Sequence, residues 1–225
     1  MKKIIIALSL FLNMLGLNSC VSEDELKYSC DEEVNSWIAN HKAEISTMSR
    51  QDWLNAAPIL KTGLLRAFSS EQLQIFWEEK FEEVKRLPWS KKEINHIEIA
   101  QNFIKEHIDF FEDQLTDDQL DDLETFFYKW SKIAIKELGW TEQIVGSITM
   151  TGLKVKDTKG NVEIPQSYNF SPLKSQTTEK DCNCSAAHDF CETFECKAPN
   201  SGCNTLERGC GWLCLQACTG TCGGL

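Results

Sequence analysis

The chain has 225 residues, with 34 acidic against 23 basic side chains and a net charge of −11. A balance this acidic has no electrostatic footprint for nucleic acid and gains nothing from anionic lipid surfaces. It excludes a polyanion-binding role and favours solubility.

The first residues, MKKIIIALSLFLNMLGLNSC, carry Lys2 and Lys3, an apolar run from Ile4 to Leu17, and then small or polar residues. This is the layout of a secretory signal over residues 1–19, and the run is shorter than the roughly 20 apolar residues of a membrane span. Without Lys2 and Lys3 the balance is 21 basic to 34 acidic residues, a net of −13. Leu17-Asn18-Ser19-Cys20 resembles the lipobox of bacterial lipoproteins, with Asn18 a mild departure from the usual small residue. The resemblance implies cleavage before Cys20 and lipidation of its sulfur, so that residues 20–28 form a lipidated tether. Acyl chains contribute about 0.8 kcal/mol per buried methylene, enough to hold a multiply acylated protein on a bilayer. The acidic patch Val21-Ser22-Glu23-Asp24-Glu25 resembles the signal that sends some lipoproteins to the outer face of the outer membrane, and an ordinary solvated tether reads equally well. The expected location is therefore the cell envelope, lipid-anchored to the outer membrane.

Residues 29–146 read as a helical domain. Its early pieces are short: DEEVNSWIANHKAEI, RQDWLNA and PILKTGLLRAF, with Pro58 suited to a first helical turn. Three longer apolar stripes follow at three- and four-residue steps. They are Leu73, Trp77, Phe81 and Val84; then Ile97, Ala100, Ile104, Ile108 and Phe111; then Leu120, Leu123, Phe127, Trp130, Ala134 and Leu138. Ser69 with Gln72, Ser90 with Glu93, and Thr116 with Gln119 have the spacing of capping boxes. Pro88 separates two helices and Gly139 suits a C-cap. Asp117, Asp118, Asp121 and Asp122 near a helix start complement the macrodipole and need no catalytic role.

From about residue 147 the pattern alternates, and SITMTGLKVKDTKGNVEIP predicts a β-hairpin over 147–164 around Gly160 and Asn161. Residues 165–180, polar and with two prolines, Pro165 and Pro172, read as a linker. The remaining segment, 181–225, holds nine of the eleven cysteines and is too small to fold on apolar burial alone.

Export implies persistent disulfides. Setting Cys20 aside leaves ten cysteines: Cys30, Cys182, Cys184, Cys191, Cys196, Cys203, Cys210, Cys214, Cys218 and Cys222. All ten are expected in disulfides, with connectivity open. If the tail cysteines pair among themselves one is left over, and Cys30 is its natural partner. Zinc at Cys210, Cys214, Cys218 and Cys222 is disfavoured, because four-residue steps along one helix do not wrap a tetrahedron. His188 lies near Cys184 and Cys191, but cysteines so close are more simply disulfides than an activated thiol. His96 and His107 form no metal motif. No phosphate loop, nucleophile elbow or dinucleotide fingerprint occurs. No enzyme activity, cofactor or metal is expected.

The tail starts Cys182-x-Cys184-Ser185, places Phe190 before Cys191, spaces its middle cysteines nearly regularly, and reaches Gly209-Cys210-Gly211-Trp212. In these features it is similar to fulvocin C, a small cysteine-rich bacteriocin, and the whole chain resembles the fulvocin C-related proteins. It departs by an extra cysteine and wider spacing near the end. The resemblance implies a bacteriocin-like antibacterial precursor or effector whose tail is the active part. The alternative is a non-enzymatic cell-surface binding lipoprotein in which the cysteines stabilise a recognition module. The partners expected are a membrane through the lipid on Cys20 and an unknown cell-surface or target-cell protein. The fold class expected is mainly α: a helical body, a short β-hairpin and a small disulfide-rich C-terminal module.

Overall fold

The computed structural model describes residues 28–112, 115–163, 181–185, 189–191, 196–197 and 203–222. The signal, the tether up to Lys27 with Cys20, the linker and His188 lie outside the described residues. Eight α-helices are described: α1 (Glu32–Asn40), α2 (Lys42–Ile45), α3 (Arg50–Asn55), α4 (Lys61–Ala67), α5 (Ser70–Lys85), α6 (Lys91–Glu106), α7 (Asp117–Leu138) and α8 (Glu142–Thr149). Four short strands follow in the tail: β1 (Cys196–Lys197), β2 (Leu206–Cys210), β3 (Gln216–Cys218) and β4 (Thr221–Cys222). The protein is mainly helical with a disulfide-rich end. No described helix is long and apolar enough to cross a membrane.

The helix starts follow from their caps. Ser69, Ser90 and Thr116 each accept from the backbone N–H three residues on, and Gln72, Glu93 and Gln119 return the bond. Ser49 and Asp52 form a further box at α3. At the far end of α7, Gly139 takes the left-handed conformation with φ +73°, where a side chain would be strained. Pro58 opens a 3-10 turn, Pro58–Leu60, as its fixed φ favours.

The stripes become the core. Leu73, Trp77, Phe81 and Val84 of α5 face Ile97, Ala100 and Ile104 of α6 and Leu123, Phe127, Trp130 and Ala134 of α7, all buried in one cluster. Ile108 leaves its stripe. The α-helix stops at Glu106 and a 3-10 turn, Ile108–Phe111, rotates Ile108 outward while burying Phe110 and Phe111. Trp130 and His96 lock α7 to α6 reciprocally: Trp130 Nε1 donates to the His96 carbonyl at 2.8 Å, and His96 Nε2 lies 3.0 Å from the Trp130 carbonyl.

The hairpin is shorter than the alternation suggests. Residues 142–149 are helical, because Thr141 caps the Ile144 N–H and Ile144, Val145 and Ile148 then share the inward face. Alternation of Ile148 with Met150 alone is too short to outweigh the helical spacing of Ile144, Val145 and Ile148. What remains is one antiparallel bridge, Val155 to Val162, flanked by hydrogen bonds Glu163 N to Lys154 O and Lys156 N to Asn161 O. Asp157 organises the turn by accepting from Lys159 N and from Asn161.

The tail is not held apart from the body. Trp212, Leu213, Cys214 and Leu215 belong to the same buried cluster as the α5, α6 and α7 stripes. The Trp212 ring stacks on Phe127 with centroids 5.2 Å apart and planes 14° from parallel. Around this plug, Gln216 Nε2 donates to Glu124 at 2.7 Å, and Arg208 donates to the carbonyls of Phe111 and Glu112. Asp181 accepts from Ser29 Oγ and from Cys30 N. Phe190 packs where Gly146 of α8 lacks a side chain, since a Cβ there would come within 2.9 Å of its ring.

Trp212→Ala should therefore destabilise the whole protein, by about 3–5 kcal/mol, the usual cost of emptying a buried aromatic site. Urea unfolding followed by helical circular dichroism checks this. A loss confined to the tail, with the helical transition unmoved, would contradict the shared core.

Candidate functional site

The junction between plug and body gathers three strongly perturbed ionisable groups, Lys80, Cys214 and Asp189. Lys80 lies on α5 between Trp77 and Phe81 and is fully buried. Its ammonium donates to the Leu153 carbonyl. Burial, and then the nearby Arg50 guanidinium, hold its pKa well below the ordinary lysine value. Arg50 itself makes a two-pronged pair with Glu83 at 3.0 and 3.3 Å and donates to the Gly152 carbonyl at 3.0 Å. Both cations thus hold the backbone that follows α8.

Cys214 reaches the same backbone from the tail, its Sγ 3.7 Å from the Met150 carbonyl. It is a free thiol and buried. Burial, with the Asp189 carboxylate adding to it, pushes its pKa up to about 12. The thiol stays protonated, the opposite of an activated nucleophile. Asp189 is the third group. Its carboxylate accepts from Ser185 N and Phe190 N and draws the Gly211 N–H as well, yet burial raises its pKa to about 6.

The backbone of the plug is unusual. Leu213 and Cys214 have φ of +52° and +55°, two successive residues with side chains in the left-handed region. Such residues cost about 1–3 kcal/mol each and persist where surroundings over-determine them. Gly211, at φ +64°, carries the chain into the turn, where a Cβ would collide with the Gln216 amide at 1.9 Å.

The cysteines sort differently from expectation. Four pairs form within the tail: Cys182–Cys203, Cys184–Cys196, Cys191–Cys222 and Cys210–Cys218. Their S–S lengths run from 1.92 to 2.02 Å. Cys214 is the leftover, and it is free, so it forms neither a disulfide nor the expected bridge to Cys30. The tail cysteines are thus accounted for without Cys30. The reason is placement: Cys30 sits with Cys182, Leu206, Cys210 and Cys218 in a small satellite cluster, whereas Cys214 is deep in the main core. Nor do Cys210, Cys214, Cys218 and Cys222 share a helix. They lie in β2, a 3-10 turn, β3 and β4, and Cys210–Cys218 crosses the β2–β3 ladder.

The histidines weighed from sequence are structural in placement. His96 stacks on Trp130 within a group that includes Trp140, and burial lowers its pKa. His107 stacks on Phe110. Lys80 was legible in principle, since it falls three residues after Trp77 on the buried stripe. Asp189 had no local signal, because its burial comes from the fold of the tail. Comparison with protein-family models, with curated proteins and with solved structures returns no match.

Two outcomes are expected. Native protein treated with a maleimide at pH 8 should leave Cys214 unmodified, and unfolding in urea should expose it; peptide mass mapping reads both. Asp189 gives a pH dependence of definite sign. Its folded pKa lies above the unfolded value of 3.8, so the native state binds more protons between about 4 and 6 and stability rises as pH falls through that window. Because the side chain is only partly covered, about 1–2 kcal/mol is expected of it. His96 acts in the opposite sense, so the contribution is read as the wild-type slope minus that of Asp189→Asn.

Proposed function

We propose that the chain is an exported, lipid-anchored, non-enzymatic interaction protein whose cysteine-rich tail acts in place, as part of the body. The observation that carries this reading is the burial of Trp212, Leu213 and Leu215 in the helical core. Full burial of such side chains stabilises by roughly 1.5–3 kcal/mol each, so freeing the tail costs on the order of 5–9 kcal/mol before polar contacts are counted. A released peptide would leave an open apolar cleft behind. Membrane attack by the tail also lacks a driving force, because the protein is acidic and the apolar tip is occupied. The non-enzymatic part is supported by a buried, protonated Cys214 and a Lys80 whose ammonium is engaged by a backbone carbonyl.

The similarity of the tail to fulvocin C supports a second reading, in which the whole chain, and not a freed tail, is an antibacterial effector at the cell surface. Both readings place the protein on the outer membrane through a lipid on Cys20, with a cell-surface or target-cell protein as partner.

A protease site inserted in residues 165–180 tests the central point. After cutting, the tail fragment should co-elute with the body in gel filtration and should not kill related bacteria by itself. A fragment that separates and kills would overturn the reading in favour of a released bacteriocin. Growth with labelled palmitate should mark the protein, and Cys20→Ser should abolish both the label and membrane association.

A further inference from the structure

Helix α7 carries two patterns at once. Leu123, Phe127, Trp130 and Ala134 are buried in the shared core. The opposite face is open. Asp118, Asp121, Asp122, Lys129, Lys132 and Lys136 are all exposed, and they recur at the three- and four-residue steps that keep side chains on one side of a helix. The stripe is divided by charge, acidic in its first half and basic in its second. Glu124 and Glu137 fall off the stripe, and Glu124 is bonded to Gln216. The macrodipole accounts only for the ends of this order, because its effect decays within the first and last turns. Asp121, Asp122, Lys129 and Lys132 lie further in. Along the helix the order is unfavourable: Asp118 stands four residues from Asp122 and Lys132 four from Lys136, so like charges are neighbours. Among the described residues none of the six forms an ion pair.

We infer that this face is the interface for a second copy of the chain, paired antiparallel along α7 about a two-fold axis near its middle. An antiparallel partner reverses the order, so each acidic half meets a basic half. Asp118 then faces Lys136 of the second copy, and Asp121 and Asp122 face its Lys132. The axis repeats each pairing, as an isologous contact requires. A parallel partner would set acid on acid and base on base. Tyr128 and Ile133, both large and exposed, flank the stripe and supply the apolar contact that charge alone lacks. Nucleic acid and anionic membranes each present one sign of charge and match only half of the face. One helix face is a small interface, so dissociation in the micromolar range is expected. The inference rests neither on the lipid anchor nor on what the tail does.

The test uses the full chain with Cys20→Ser, which removes the lipid, in sedimentation equilibrium from micromolar to millimolar concentration. A monomer–dimer equilibrium is expected. It should weaken between about 0.1 and about 1 M salt, where the screening length falls from about 10 to about 3 Å. Asp118→Lys, Asp121→Lys and Asp122→Lys together should weaken self-association by about tenfold or more, and Lys129→Glu, Lys132→Glu and Lys136→Glu together should do the same, because like charges then meet across the interface. Mixed one to one, the wholly basic and wholly acidic faces should form a heterodimer at least as tight as the wild-type dimer, read by native mass spectrometry. Helical circular dichroism of each variant alone separates loss of the interface from loss of the fold. A wild-type chain that stays monomeric over the whole range, folded variants that dimerise as well as wild type, or a mixture of folded variants that stays unpaired would overturn the assignment.

Discussion

The stack of Trp212 on Phe127 is the contact on which the rest of the structure depends. Phe127 is the middle of the α7 stripe, and α7 is the longest helix. A helical body built from α5, α6 and α7 alone would leave that stripe partly uncovered. The tail supplies the missing wall with Trp212, Leu213 and Leu215, and the polar contacts of Arg208 and Gln216 surround it. Apolar burial sets the position, and the hydrogen bonds at its edge set the orientation, since each net bond is worth about 1 kcal/mol.

That wall is set in an unfavourable backbone. Leu213 and Cys214 both sit at positive φ, and Gly211 is hemmed in by Gln216. The turn tolerates this because its side chains are core residues. Lys80 and Arg50 add a second constraint from the body, pinning the carbonyls of Leu153 and Gly152 beside the plug. Two buried cations so close together persist only because each ends on backbone carbonyls or, for Arg50, on Glu83. The junction therefore concentrates cost as well as stability, the usual mark of a place where geometry is held for a reason.

Much of this was legible in the sequence. The capping residues Ser69, Ser90 and Thr116, the C-cap Gly139 and the three stripes are local signals, and local physics decides them. The α8 boundary was not legible, because the strand-like step from Ile148 to Met150 overlaps the end of the helical spacing of Ile144, Val145 and Ile148. The junction was less legible still. A short cysteine-dense segment reads as self-sufficient, and nothing near Trp212 in the chain says that its ring belongs against Phe127, 85 residues earlier. The pairing of Cys30 failed for the same reason: parity counts sulfurs, whereas burial of Cys214 in the core decides which thiol is out of reach.

The Cys210–Cys218 bridge closes a loop with a sequence separation of eight, and the plug residues Trp212 to Leu215 lie inside it. The plug is therefore a small covalent macrocycle, conformationally restricted before it meets the helices. Ordering entropy, which normally opposes docking of a loop, is largely removed in advance by that closure. In this sense the body is a receptor and the ring its rigid intramolecular ligand, with an affinity set by the oxidation of two cysteines that sit in the satellite cluster and not in the main core.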